Sequence, residues 1–305
     1  MKKDLISIND LSSEEIFDII KLAGKLKKKP LLYKQLFRNK TLALLFQKPS
    51  NRTRISFEVA MVHLGGHALY LAPNEIQMGK RESVKDVGCV ISRYVDGIVA
   101  RVFSHQDAEE LAHYSDVPVI NGLSDHEHPC QALSDIFTVS ENMKNLKKTI
   151  VSYVGDGNNV LNSLLMTCAK AGVNMKVATP AGYRPPEDIY EEAVMTAAKN
   201  GALIKLFDDP RQAVEGSDIV YTDVWVSMGQ EAEREKRLKD FASFQVNEEL
   251  MKAAKKGALI MHCLPAHRGE EVTDVIDGKN SIIYDQAENR MHVQKAILLK
   301  LLGRK

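Results

Sequence analysis

The run TLALLFQKPSNRTRISFEVAMVHLGG, residues 41–66, decides the fold class. Its first seven residues are apolar and β-rich, as in a strand buried within a parallel sheet. A polar turn follows, then a helical pattern from about Arg52 to Leu64 in which Ile55, Val59 and Val62 share one face. Gly65-Gly66 stops that helix. The unit recurs: residues 67–71, 97–102 and 117–123 read as strands, with helices near 83–95, 106–114 and 129–141. The second half continues with strands at 149–154, 173–178, 202–207, 218–222 and 258–263, and Gly172, Gly201 and Gly257 act as helix stops. Strands alternating with helices predict parallel sheets. The expected fold class is α/β, with two doubly wound parallel-sheet domains divided at the polar stretch 142–148 and an amphipathic C-terminal helix over 290–302.

Composition agrees. A chain of 305 residues at ~150 residues per domain suggests two domains. Lys and Arg number 41 against 40 Asp and Glu, a net charge of +1, which excludes a broad polybasic surface for nucleic acid or membrane. With 44% hydrophobic and 27% charged residues the chain is globular, not disordered. No apolar run approaches the ~20 residues of a membrane span. The opening MKKDLISINDLSSEE turns acidic too soon for a signal peptide. Cys89, Cys130, Cys168 and Cys263 lie far apart with no CxxC pair, so neither a disulfide scaffold nor a zinc ribbon is expected. A reduced, cytoplasmic protein is the reading.

In open parallel sheets ligands bind beyond the carboxyl ends of the strands, and unusual chemistry begins where these strands end. Lys48-Pro49-Ser50-Asn51-Arg52-Thr53-Arg54 opens the first helix. Ser50 is a good N-cap, the next backbone N–H groups lie at the positive end of a helix dipole, and Thr53 and Arg52 add donors. Such a constellation binds phosphate, although the GxxxxGK[ST] pattern is missing; the plainer alternative is a capped helix with solvated arginines. His126-Glu127-His128-Pro129-Cys130-Gln131 opens a later helix, with Pro129 suited to its first turn and His128 and Gln131 offering imidazole and amide donors. Zinc on His126, His128 and Cys130 is disfavoured because no fourth ligand stands at normal spacing; His126 reads as surface and Cys130 as a small buried residue.

Gly155-Asp156-Gly157-Asn158-Asn159-Val160 begins like a dinucleotide fingerprint, but Val160 stands where the third small residue belongs. An oxidoreductase would also need an acidic residue ~20 positions on, where Thr179-Pro180-Ala181-Gly182-Tyr183-Arg184 stands instead. A tight βα turn is the alternative, with Asn158 and Asn159 able to touch a ligand. Asp223-Val224-Trp225-Val226-Ser227-Met228-Gly229 follows the next strand; Asp223 could hold an ammonium group, and Gly229 with residues 230–239 makes a candidate lid. His262-Cys263-Leu264-Pro265 ends the last strand, where a thiol can meet a substrate or simply pack in the core. A non-enzymatic binding module would leave the gathering of Arg52, Arg101, His128 and Cys263 at strand ends unexplained.

Taken together these segments resemble the transcarbamylase family. The pattern S-T-R-T-R appears as Ser50-Asn51-Arg52-Thr53-Arg54, H-P-x-Q as His128–Gln131, D-x-x-x-S-M-G as Asp223–Gly229 and H-C-L-P as His262–Pro265. The similarity runs from about Leu5 to the final helix, and the last two motifs favour the ornithine branch over the aspartate branch. The resemblance implies a carbamoyl phosphate site of Ser50, Asn51, Arg52, Thr53, Gln77, Arg101, His128, Gln131, Cys263, Leu264 and Arg290, and an ornithine site of Asn159, Asp223, Ser227 and Met228. Arg101, His128 and Cys263 are the implied catalytic residues. It implies a carbamoyl phosphate domain over 1–141, with 290–305 packing back on it, and an ornithine domain over 142–289. It further implies a homotrimer or a multiple of trimers, Gln77 lying near a neighbouring subunit. No metal and no organic cofactor is expected, because an acyl phosphate is already activated, and nucleic acid and membrane are not expected partners. Asn51 departs from the usual threonine; its N–H can still face phosphate. A putrescine-using relative is the nearest rival, and the intact Ser227-Met228-Gly229 segment favours ornithine.

Overall fold

The structure, a computed structural model, describes residues 3–30, 32–227 and 229–303. The chain divides into two compact units: one runs to Phe137 and resumes at Glu288, the other is Thr138–Ala287. The two-sheet α/β architecture is the one the sequence predicts.

In the first unit, β1 (Thr41–Phe46), β2 (His67–Leu71), β3 (Gly97–Arg101) and β4 (Val119–Leu123) form a parallel sheet ordered β2-β1-β3-β4. β1 is buried over Leu42–Phe46, because helices cover both faces of an inner parallel strand. Helix Asn51–Leu64 follows it and ends at Gly65, whose φ of 86° is left-handed and whose added Cβ would meet Lys34 O at 2.3 Å. The face that carries Ile55, Val59 and Val62 is not the one this helix turns to the core. Phe57, Ala60, Met61 and Leu64 face the core, whereas Ile55 and Val62 are 57% and 65% exposed.

In the second unit, β5 (Ile150–Val154), β6 (Asn174–Ala178), β7 (Ile204–Phe207), β8 (Ile219–Thr222) and β9 (Leu259–His262) are parallel in the order β7-β6-β5-β8-β9. Strand order reverses direction between β1 and β3 in one sheet and between β5 and β8 in the other. Each reversal leaves a crevice at the carboxyl ends of the two strands, where neighbouring connections diverge to opposite faces.

Two helices differ from the sequence reading. Ser13–Lys28 was not anticipated, though Ser12 and Glu15 form a capping box and Ile16, Ile19, Ile20, Ala23 and Leu26 make its buried stripe. The last helix begins at Ile283, seven residues before the predicted start at 290. Gln286 and Asn289 there are polar yet fully buried, because Gln286 Oε1 accepts the His262 N–H and Asn289 Oδ1 accepts from Lys27 Nζ, both at 2.9 Å.

Candidate active site

The crevice of the first unit is lined by cations. Ser50 caps helix Asn51–Leu64, accepting the Thr53 N–H at 3.4 Å and donating to Thr53 Oγ1 at 3.1 Å. The first-turn N–H groups lie at the positive end of the helix dipole, an arrangement suited to an anion. Across the crevice Arg101 ends β3, buried, and its carbonyl accepts the Gln47 N–H at 2.8 Å. Arg290 reaches the same place from the last helix, donating from Nη2 to Thr53 Oγ1 at 2.8 Å. His128 stands just before helix Pro129–Asn142, buried. Burial, then the charges of Arg290, Arg101 and Arg52, hold its pKa well below the usual histidine range. A neutral imidazole among three guanidiniums can donate a hydrogen bond to a developing oxyanion without adding a proton to titrate.

Gln131 was expected to donate. Its Nε2 donates to Asp135 Oδ1 at 2.8 Å, which turns the amide so that the buried Oε1 is left without a partner among the described residues. Gln131 therefore offers an acceptor, suited to an amide N–H. Asp135, absent from the sequence reading, sets that orientation. Lys48 was also unassigned; it is nearly buried with Nζ 4.7 Å from the Phe103 ring centroid, and burial followed by Arg101 lowers its pKa. Asn51 is exposed at the first helical position. Gln77 sits on an exposed turn with φ of 50°, its amide donating to Asn74 O, and bonds to none of the other phosphate-site candidates. Cys130 is buried, its thiol pushed up to about 12 by burial, while His126 is exposed.

In the second unit the crevice between β5 and β8 holds a carboxylate and a thiol. Cys263 Sγ donates to Asp223 Oδ1 at 2.9 Å, and Val224 N–H reaches the same oxygen at 2.8 Å. Asp223 Oδ2 accepts from Asn158 Nδ2 at 2.9 Å. Asn158 Oδ1 meanwhile caps helix Asn159–Ala171 by accepting from Val160 and Leu161 N–H. Asn158 thus positions Asp223, leaving Asn159, half-buried at the first helical residue, as the ligand candidate. Leu264 follows Cys263 with a left-handed φ of 61°. Gly157 belongs to a tight turn: a Cβ there would meet Tyr183 O, Arg184 C and Pro185 N within 2.5 Å, so the chain itself fills the space that a dinucleotide fingerprint leaves for pyrophosphate.

The loop after Asp223 is held from below. Arg237, on helix Arg234–Asp240, donates to Asp156 Oδ2 and to Trp225 O, each at 3.0 Å. Burial pushes Asp156 up to about 6 although Arg237 pulls the other way. The predicted lid segment is therefore anchored at 237. Ser227 N–H bonds Gln230 Oε1 at 3.0 Å; Met228, assigned with it, lies outside the described residues. Two described groups bring possible metal ligands together, Asp223-His262-Cys263 and His267-Glu270-Glu271. Both His262 nitrogens are engaged by protein, and Glu270 is paired with Arg234.

A helix N-terminus beside buried arginines in one α/β unit and a carboxylate paired with a thiol in the other are chemistry suited to a transferase acting on an anionic donor and a cationic acceptor. The chain belongs to the aspartate/ornithine carbamoyltransferase family: residues 3–141 match its carbamoyl-P binding domain and residues 147–301 its Asp/Orn binding domain. It is 54% identical over 304 residues to ornithine carbamoyltransferase of Pyrococcus abyssi, covering 99% of this chain and 96% of that one. The Archaeoglobus fulgidus protein of the same name is 52% identical over 305 residues, covering 99% of this chain and 98% of that one. Among solved structures, ornithine carbamoyltransferase from Pyrococcus furiosus has a TM-score of 0.96 at 53% identity, covering 99% of this chain and 97% of that one. The Thermus thermophilus structure has a TM-score of 0.89 at 46% identity, covering 99% of both.

Proposed function

We propose that this protein transfers the carbamoyl group of carbamoyl phosphate to the δ-amine of L-ornithine, giving L-citrulline and phosphate. The observation that carries the reading is the neutral, buried His128 held in the field of Arg52, Arg101 and Arg290. Those three charges with Ser50, Asn51 and Thr53 are suited to a phosphate dianion. Arg101, His128 and Thr53 are assigned to the carbonyl oxygen, and Gln131 Oε1 with Leu264 to the carbamoyl nitrogen.

The second unit takes the amine. Asp223 with Asn159, Ser227 and Met228 is assigned to the α-substituents, which putrescine lacks, and Cys263 to the reacting nitrogen. The Cys263 S–H points at Asp223, so the thiol would meet the amine as an acceptor of its N–H and orient it. An alkylamine has a reference pKa of about 10.4, so desolvation must favour its neutral form. The nitrogen then attacks the carbonyl carbon, the C–O bond to phosphate breaks, and the proton lost by the amine leaves on the departing phosphate as hydrogen phosphate. The domain assignment follows the same division: carbamoyl phosphate with residues 1–141 and 290–305, ornithine with 142–289.

Assembly as a homotrimer or multiple of trimers belongs to this proposal. Ile55 and Val62, exposed on one helix face, and Leu69, 43% exposed on edge strand β2, support burial against another copy, and Gln77 is assigned to a neighbour's site. A cytoplasmic location is proposed on four cysteines that are all free; no described helix is long and apolar enough to cross a membrane. The test compares L-ornithine and putrescine as acceptors with carbamoyl phosphate. Citrulline from ornithine, with little product from putrescine, is the expected result; the reverse preference overturns the substrate assignment.

A further inference from the structure

The chemistry assigned above leaves one buried pair unused. His262 and Glu271 have side chains with no exposed surface, and His262 Nε2 lies 3.2 Å from Glu271 Oε1. The other ring nitrogen, Nδ1, accepts the Leu264 N–H at 2.8 Å. An N–H donor at Nδ1 requires that nitrogen to be unprotonated, so in the neutral ring the proton sits on Nε2 and points at the carboxylate. Glu271 is itself immobilised: Oε1 also accepts the His267 N–H, and its neighbours place it in the bridge that joins Val246 to Val272.

We propose that Glu271 and His262 are positioning residues that set the Cys263–Leu264 turn. This rests on the carbamoyl transfer reading above. Glu271 selects the His262 tautomer; His262 Nδ1 then holds the Leu264 N–H. That bond fixes a leucine at φ of 61°, a conformation that non-glycine residues avoid unless their surroundings impose it. The Leu264 carbonyl and the Cys263 thiol, on either side of the fixed peptide group, acquire their orientation from it. The geometry is that of an Asx-turn, in which a side-chain acceptor binds the N–H two residues on. His262 substitutes an imidazole for the asparagine amide and gains a second anchor at Glu271.

The analogy supplies the test. His262→Asn retains an acceptor near the Nδ1 position, whereas His262→Gln places its amide near the Nε2 position and cannot serve Leu264. Both lose the ring, so both lose comparable thermal stability. With citrulline formation as readout, kcat of H262N should stay within about tenfold of the parent, while H262Q should fall by about 100-fold, the scale of an ångström's misplacement. Equal kcat losses in H262N and H262Q overturn the relay. A second measurement reads the tautomer directly: histidine-selective 15N spectra of the intact protein should show the neutral His262 ring with its proton on Nε2 rather than Nδ1, and in Glu271→Leu that signal should change tautomer. A protonated Nδ1 at His262 also overturns it. If the parent makes no citrulline, the transfer reading fails, and the spectra still decide the relay.

Discussion

Cys263 Sγ lies 2.9 Å from Asp223 Oδ1, so the thiol is a hydrogen-bond donor to the carboxylate proposed to take the amine. The pair joins the ends of β9 and β8, and it carries a kinetic expectation. Cys263→Ser keeps a donor for Asp223 but offers a smaller, harder acceptor to the amine; kcat should fall by about 10-fold with ornithine binding retained. Cys263→Ala removes both contacts, and about 10²-fold is expected, in the range of one lost positioning group. Steady-state kinetics at saturating carbamoyl phosphate decide this, and an alanine variant faster than the serine variant contradicts it.

The Gln131–Asp135 bond should govern which acyl phosphate is accepted. With Nε2 held by Asp135, Gln131 Oε1 is oriented to accept an N–H, which carbamoyl has and acetyl lacks. Asp135→Asn lets the amide turn round, and the preference for carbamoyl over acetyl phosphate should drop by about 10-fold, the value of one hydrogen bond to a buried group. Ratios of kcat/KM for the two donors measure it; an unchanged ratio denies Asp135 this role.

Stability should fall as pH drops below the ordinary histidine value. The unfolded chain takes up a proton on residue 128 near pH ~6.5, whereas folded His128 stays neutral far below that. Where the unfolded state binds more protons, stability rises with pH, so acid destabilises. Burial also depresses His63 and His292, which act with the same sign. Denaturation midpoints for His128→Gln between pH 7.5 and 5 should therefore fall less steeply than the parent's, though not become flat.

Asp156 has the opposite linkage. Its folded value, pushed up to about 6, exceeds the ordinary aspartate value. The stability it lends is present below that ordinary value and lost as pH rises through about 6. Asp156→Asn should remove this slope while leaving an acceptor for Arg237.

Removing Arg237 is different, because it strands a buried carboxylate. Arg237→Met should cost about 3–5 kcal/mol, the usual penalty for breaking one side of a buried pair. It also deletes the donor to Trp225 O, so the KM for ornithine should rise while that for carbamoyl phosphate changes little. Thermal melts and the two KM values together test it; equal changes in both KM values would show a general loss of structure.

Much of the architecture was legible because it depends on near neighbours. Apolar runs ended by glycine marked the strands and helices, and Ser50 is the cap its position suggests because its partner lies three residues away; Asn158, read as a ligand contact, is also a cap. Errors arose where burial contradicted polarity. The last helix starts early at Ile283 because Gln286 and Asn289 are buried by bonds to His262 and Lys27, which no periodicity reveals. Ile55, Val59 and Val62 form an apolar stripe that helical spacing does show, yet the opposite face carrying Phe57 and Met61 packs inward.

The sequence by itself determined two parallel α/β sheets, the order of their elements and the residue types waiting at the strand ends. Those follow from alternation, caps and turn residues, all interactions of short range along the chain. Only the tertiary structure decided what state each group is in: that His128 is neutral, that Gln131 presents oxygen, that Asn158 serves Asp223 and that His262 turns its Nδ1 to Leu264. Protonation, amide orientation and tautomer are set by desolvation and by partners such as Thr53 and Arg290, which are 237 residues apart in the chain. That proximity exists only once the first unit has folded, with its chain resuming at Glu288.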